Sequence, residues 1–147
     1  MKKVNELIKL PEVKTIFNLF NNNQGIYLVG GCIRDTLSGK EVTDIDFAID
    51  IDPEEVVKTL SNNNIKFYDI GINYGTVTAV IDSKNYEITS LREDIETDGR
   101  HAKVKYTSDI KADSLRRDFT INAIYANRDG ELFDFHNGID DIENRNL

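Results

Sequence analysis

Asp44-Ile45-Asp46 places two carboxylates two residues apart in a segment, Asp44–Ile49, where polar and apolar residues alternate. On a strand, that alternation sends both carboxylates to one face while Ile45 and Phe47 point into the core. Paired hard oxygens suit Mg2+, which prefers carboxylate, water and phosphate ligands. Two such ions, about 3.5–4 Å apart, can activate an attacking hydroxyl and neutralise a leaving pyrophosphate. Taken alone, a D-x-D pair is more often a solvated strand face. An EF-hand loop does not fit, because Ala48 would occupy its fifth position and no glycine follows. A third carboxylate would complete a two-metal site. Glu87, in Asn85-Tyr86-Glu87-Ile88-Thr89, has the strand context and shares a face with Thr89. Asp82 lies nearby, but its turn setting suits capping.

Two other stretches carry groups that handle phosphate. Gly30-Gly31 follows the apolar run Ile26–Val29 and precedes a short helical segment, Cys32–Leu37. Glycines there let backbone N–H groups approach phosphate, and Arg34 can reach triphosphate oxygens. Asp35 is expected to pair with a neighbouring cation or cap backbone, and Cys32 to be a small buried helix residue. Neither G-x-x-x-x-G-K-[ST] nor G-x-G-x-x-G occurs, and a glycine pair alone is commonly just a tight turn. The second stretch is Ser114-Leu115-Arg116-Arg117-Asp118-Phe119-Thr120-Ile121-Asn122-Ala123. A helix over about Asp113–Ala123 would set Asp118 and Asn122 one turn apart, with the arginines nearby. Arginine for phosphate, aspartate for ribose hydroxyls and asparagine for orientation would make a nucleotide-holding surface. Seen alone, it reads as an exposed charged face. His101 and His136 have no metal-ligand spacing and read as surface residues.

The elements that must position these groups follow from periodicity. An N-terminal helical segment occupies 1–24, with a helix over roughly Glu12–Asn21 that begins at Pro11 and turns Val13, Ile16, Phe17 and Phe20 to one side. Asp52-Pro53-Glu54-Glu55 is a helix start, and that helix runs to about Ser61. Lys66–Ile70, Gly75–Ile81 and Tyr86–Ser90 read as strands, the last two joined through Asp82-Ser83-Lys84-Asn85. Residues 92–112 lack periodicity, and a structureless stretch that long is usually functional or mobile. Ile124–Asn127 and Glu131–Phe135 form a hairpin around Asp129-Gly130. The fold class is α/β (α+β): one domain with a mixed, mostly antiparallel sheet flanked by helices.

Composition narrows the function. The 147 residues suffice for one domain with a real core. No apolar run reaches the length of a membrane span, and MKKVNELIKLPEVK lacks a signal-peptide core. One cysteine excludes an internal disulfide and a thiolate metal cage, and fits a reducing, cytoplasmic setting. Eighteen Lys and Arg against 26 Asp and Glu give −8, the wrong sign for gripping a phosphate backbone by bulk field. Contact with nucleic acid must therefore be local, weak, or assisted by another chain.

Leu28–Asp46, Leu91-Arg92, Asp98-Gly99-Arg100, Arg116–Ala123 and Asp134–Asp140 together resemble the head domain of bacterial-type tRNA nucleotidyltransferases and poly(A) polymerases. Those enzymes belong to the polymerase-beta-like nucleotidyltransferase superfamily. The similarity spans roughly residues 25–147. It implies template-independent addition of CMP and AMP, from CTP and ATP with Mg2+, to the 3′ end of tRNA. By position, Gly30, Gly31 and Arg34 match the phosphate-binding motif, and Asp44 and Asp46 match the metal pair. Arg117, Asp118 and Asn122 match the ribose- and phosphate-contacting helix. Asp134, Gly138 and Asp140 match a late motif, and 92–112 corresponds to a flexible loop beside the active site. The family usually has proline after the late aspartate, where this chain has Phe135. The helical neck that reads bases and the domains that hold tRNA are expected outside these residues, which agrees with the acidic balance. A partner chain or self-association would then supply that surface. Other readings are poly(A) polymerase or another RNA-tailing activity, and a non-catalytic nucleotide- or RNA-binding module. Protein-modifying members of the superfamily fit less well, since their glycine motif usually differs from GGCIRD.

Overall fold

A seven-stranded sheet buries one face in the main core under helices, while its other face carries a smaller apolar cluster beside a patch of polar side chains. The computed structural model describes residues 2–20, 25–96 and 102–144. Two helices, α1 (Lys2–Ile8) and α2 (Pro11–Leu19), lead into β1 (Ile26–Val29) and α3 (Gly31–Leu37). Next come β2 (Asp46–Ile49), α4 (Pro53–Asn62), β3 (Lys66–Tyr68), β4 (Thr76–Ile81) and β5 (Lys84–Ser90). The remaining elements are β6 (Arg92–Glu96), β7 (Ala102–Tyr106), α5 (Ile110–Ser114), β8 (Ile124–Ala126), β9 (Leu132–Asp134) and α6 (Gly138–Glu143). The sheet order is β3-β4-β5-β2-β1-β8-β9, and β6 and β7 form a separate pair. Among the described residues of this sheet, β2 and β5 pair in parallel and the other pairings are antiparallel.

Side chains opposite one another on paired strands share a face, so register sorts the sheet. One face carries Leu28, Phe47, Ile49, Val77 and Ile88 into the main core against α1–α4. Phe17 of α2 packs edge-on against Phe47, with ring centroids 5.4 Å apart. The other face carries Val29, Asp46, Glu87, Thr78, Thr89 and Thr76, which lie in register across β1, β2, β5 and β4. Among the described residues, no helix is long and apolar enough to cross a membrane.

Three expectations change. Residues 92–112 are not structureless: β6 and β7 pair antiparallel from Arg92↔Tyr106 to Glu96↔Ala102, and α5 follows. Edge-to-edge backbone pairing needs no apolar alternation, which is why periodicity missed it; 97–101, with His101 and Asp98-Gly99-Arg100, lie outside the described residues. The helix expected over Asp113–Ala123 is only α5, ending at Ser114, with a short 3-10 turn at Thr120–Asn122. Phe119 is extended (φ −125°, ψ 142°), which breaks helical continuity between the two and leads toward β8. Strand β2 begins at Asp46 rather than Asp44, so the alternation argued for the D-x-D pair does not govern Asp44. Helix α1 lies ahead of the helix read from periodicity; its buried Val4, Leu7 and Ile8 carry the i, i+3, i+4 signal that reveals it.

The late motif closes without the usual proline. The carboxylate of Asp134 accepts the N–H groups of Gly138 at 2.7 Å and Ile139 at 2.9 Å, which caps the start of α6. Gly138 packs so tightly that a Cβ would stand 2.3 Å from the carbonyl oxygen of Thr120. Gly138→Ala should therefore destabilise the fold by about 1–3 kcal/mol through overpacking. Thermal unfolding checks this; an unchanged midpoint would mean that the contact relaxes freely.

Candidate active site

The polar patch holds a cleft of about 260 Å3. Its acidic side follows from strand register. Asp46 stands opposite Glu87 across the parallel β2–β5 pairing, and Val29 stands opposite Asp46 across β1–β2. Beside them Thr76 and Thr89 share a hydroxyl hydrogen bond of 3.0 Å. Asp46 is half-buried, whereas Glu87 and Asp44 are exposed. Burial, the Glu87 charge and then the Asp44 charge push the Asp46 carboxyl up to about 6, with Arg117 opposing. Among the described residues, no three His, Cys, Asp or Glu side chains converge into a ready-made metal cluster.

The basic side of the cleft is built on Asp113, which is 0% exposed. Arg92, Arg116 and Arg117 all line the cleft. Asp113 Oδ1 accepts the backbone N–H of Arg92 at 3.0 Å and Arg116 Nε–H at 3.1 Å. Oδ2 accepts Arg117 Nε–H at 3.2 Å and the Tyr125 hydroxyl at 2.5 Å, and Arg117 Nη2 lies 3.2 Å away. Arg117 Nε–H also reaches the Tyr125 oxygen at 3.1 Å. Burial pulls the Asp113 carboxyl up, but Arg117, the Tyr125 hydroxyl, Arg116 and the Arg92 N–H together hold it below its ordinary value. Burial and the Asp113 charge push the Tyr125 hydroxyl well up, against Arg117, so it stays protonated and donates.

Gly30 lines the same cleft at φ +79°, a conformation that requires glycine at the β1–α3 turn. Gly31 opens α3. Arg34 does not reach into the cleft lining. Its Nε donates to Asp35 Oδ1 and its Nη1 to Asn122 Oδ1, each at 3.0 Å, tying α3 to the 3-10 turn. Asp118 and Asn122 do not share a helix face, because no helix spans them. Asp118 instead lines a second cleft of about 200 Å3 with Phe119, Thr120 and His136, and Arg117 borders both clefts. His136 is partly buried, its Nε2 3.0 Å from Ser114 Oγ. Ser114 gives its own proton to the Lys111 carbonyl at 2.6 Å, so His136 Nε2–H is the donor.

Thus the structure gathers Gly30, Asp46, Glu87 and Arg117 around one cleft, leaves Asp44 outside its lining but near enough for its charge to raise Asp46, and places Asp118 across Arg117 in another. Thr76, Arg92, Arg116, Asp113 and Tyr125 complete the surroundings. Strand alternation from Glu87 points to Thr89 and its partner Thr76; nothing local in the sequence joins Asp113 to Tyr125.

Two carboxylates on neighbouring central strands of a mixed sheet, facing a wall of arginines across a cleft, define the class of domain. Residues 26–147 match the family described as the Poly A polymerase head domain, and the chain belongs to that family. It is 40% identical over 150 residues to the mitochondrial CCA tRNA nucleotidyltransferase 1 of Danio rerio, covering 95% of this chain and 35% of that protein. It is also 40% identical over 121 residues to a CCA-adding enzyme of Lactobacillus delbrueckii subsp. bulgaricus, covering 81% of this chain and 30% of that protein. The crystal structure of the Bacillus stearothermophilus CCA-adding enzyme in complex with CTP superimposes with a TM-score of 0.77 at 31% identity, over 92% of this chain and 33% of that one. The chain thus spans about a third of the length of these relatives.

Proposed function

We propose that this chain is the catalytic head of a tRNA nucleotidyltransferase that adds CMP and AMP from CTP and ATP to the 3′ end of tRNA. The observation that carries the reading is the cleft itself: Asp46 and Glu87 in register on one side, three arginines anchored on Asp113 on the other. The triphosphate lies against Arg92, Arg116 and Arg117, and the nucleoside crosses Arg117 into the second cleft. There the Asp118 carboxylate accepts a ribose hydroxyl. The 3′ hydroxyl of the RNA approaches from the Asp46–Glu87 side. Its oxygen gives up its proton to solvent and bonds to the α-phosphorus as the bond from that phosphorus to the pyrophosphate oxygen breaks and pyrophosphate leaves. Phosphoryl transfer asks mainly for alignment and charge neutralisation, which these walls provide without a covalent intermediate.

The donor set fits Mg2+. Asp46 and Glu87 stand in register on the cleft wall, and burial with the charges of Glu87 and Asp44 raises the Asp46 carboxyl, which a cation would offset. Asp44 and Asp46 would hold the cation, with Glu87 as the third carboxylate at the reacting end. When bound, the metal lowers the pKa of the attacking hydroxyl and offsets charge on the departing pyrophosphate. RNA holding by an acidic chain calls for surface beyond this head.

The test is extension of a tRNA lacking its terminal CCA with labelled CTP or ATP and Mg2+, by the chain alone and with added RNA-holding partner chains. Extension by C and then A supports the reading. Absence of any nucleotide transfer under all of these conditions overturns it.

A further inference from the structure

We infer that Asp113 is the positioning residue of this site, a single buried carboxylate that sets three arginines into one array for the oxyanions of a triphosphate. The inference rests on the nucleotide-transfer reading above. Its basis is how the bonds are distributed. Asp113 grips Arg116 only through Nε, and Arg117 through Nε and Nη2. It also fixes the start of β6, from which Arg92 extends, through the Arg92 backbone N–H. Both terminal nitrogens of Arg116 and Nη1 of Arg117 form no hydrogen bond among the described residues, while both side chains line the cleft. The Arg92 side chain is steadied separately, Nη1 donating to the Tyr74 carbonyl at 2.9 Å.

Charge points the same way. Two guanidiniums, Arg116 and Arg117, share one carboxylate and a third, Arg92, lines the same cleft, so positive charge is left over on this wall. Arginines this close repel: burial lowers the Arg116 value first, and Arg117 and Arg92 lower it further against the pull of Asp113. Asp113 keeps the array together when the cleft is empty, and a polyanion satisfies the remainder. Tyr125 fixes the orientation of the carboxylate. Its hydroxyl donates to Asp113 and accepts from Arg117, while its ring packs edge-on against Tyr27 at 6.1 Å and Phe135 at 6.5 Å. A buried ion pair is a poor source of net stability compared with apolar packing of equal volume. Its use here is geometric.

Asp113→Asn keeps the shape but turns an N–H donor toward one arginine and removes the charge. In the full chain, affinity for inorganic tripolyphosphate is expected to fall about 30-fold or more, the loss of a charge-assisted contact. KM for CTP and ATP should rise in proportion, and kcat should change by less than about threefold. Tyr125→Phe, which leaves the carboxylate charged but less fixed, should shift both readouts about 3–10-fold in the same direction. Asp113→Glu should recover part of the affinity. The inference is overturned if folded Asp113→Asn binds tripolyphosphate like the parent, or loses kcat alone. If Asp113→Asn does not fold, Tyr125→Phe decides, and parental tripolyphosphate affinity in that variant overturns it equally. Failure of the transfer reading is distinguishable: the parent would bind tripolyphosphate yet extend no RNA.

Discussion

Asp46→Asn is expected to reduce nucleotide transfer by about 10^3-fold, as for loss of a group that stabilises charge in the transition state, while leaving the protein at least as stable as the parent at pH 8. The carboxyl of Asp46 sits at about 6 in the folded chain against an ordinary 3.8, because of burial and then the charges of Glu87 and Asp44. A raised value means that its favourable contribution to folding is complete below about pH 3.8 and lost as pH rises through about 6. At pH 8, then, the ionised group opposes folding. The carboxamide removes that opposition, on the order of 1 kcal/mol once solvent screening at a partly open site is allowed for. Thermal midpoints at two pH values test the sign. The variant should gain on the parent at pH 8 and lose that advantage near pH 4. A further control uses Mg2+, which should raise the midpoint of the parent at pH 8 and leave the variant unmoved. Parental transfer by Asp46→Asn would remove Asp46 from the reacting centre. A lower midpoint at pH 8 would mean that the carboxylate serves the fold instead.

This conflict between stability and chemistry shows why parts of the site could be read directly from the sequence. Asp46 and Glu87 lie on strands whose alternation is visible in DIDFAI and NYEITS, and facing residues of paired strands must share a side. Strand alternation plus a pairing partner is all the information needed. The glycine at residue 30 was equally legible, since an apolar run followed by Gly-Gly marks a turn, and the φ of +79° there explains the residue type. The arginine wall was legible only in composition. Arg116-Arg117-Asp118 announces charge, but a helical reading puts Asp118 and Asn122 together, whereas α5 ends at Ser114 and the two residues part. What reorganises the segment is a contact twelve residues away, Tyr125 to Asp113, and another to the Arg92 backbone 21 residues earlier. Local propensity carries no record of either. The same holds for Arg34, drawn to Asn122 across 88 positions rather than to the cleft. Short-range periodicity sets the sheet and its acidic pair; long-range polar bonds set the basic wall.

Arg117→Met should fail twice, in stability and in transfer, and the pH dependence separates the two failures. Removing one partner of a buried pair costs about 3–5 kcal/mol, and the low end applies here because Arg116, Tyr125 and the Arg92 N–H remain on Asp113. In the parent, the Asp113 carboxyl lies below its ordinary 3.8, so the stability it brings is present above that value and lost as pH falls through the folded one. Burial is the largest influence on Asp113 and pushes upward; Arg117 is the largest influence pushing downward. With Arg117 gone, burial gains ground, and the sign reverses if it wins: stability is then present at low pH and lost as pH rises through the elevated value. The variant should therefore recover stability relative to the parent between pH 8 and pH 5, a trend that a mere packing defect would not produce. Transfer should drop by about 10^2–10^3-fold, mostly through KM for the nucleotide, since Arg117 borders both clefts. Arg117→Lys keeps the charge, but an ammonium has no planar fork to serve Asp113 and Tyr125 while also facing a phosphate. It should restore most of the stability at pH 8 and little of the nucleotide affinity. Parental kcat/KM in Arg117→Lys would show that charge alone suffices and that the fork held by Asp113 has no part in binding.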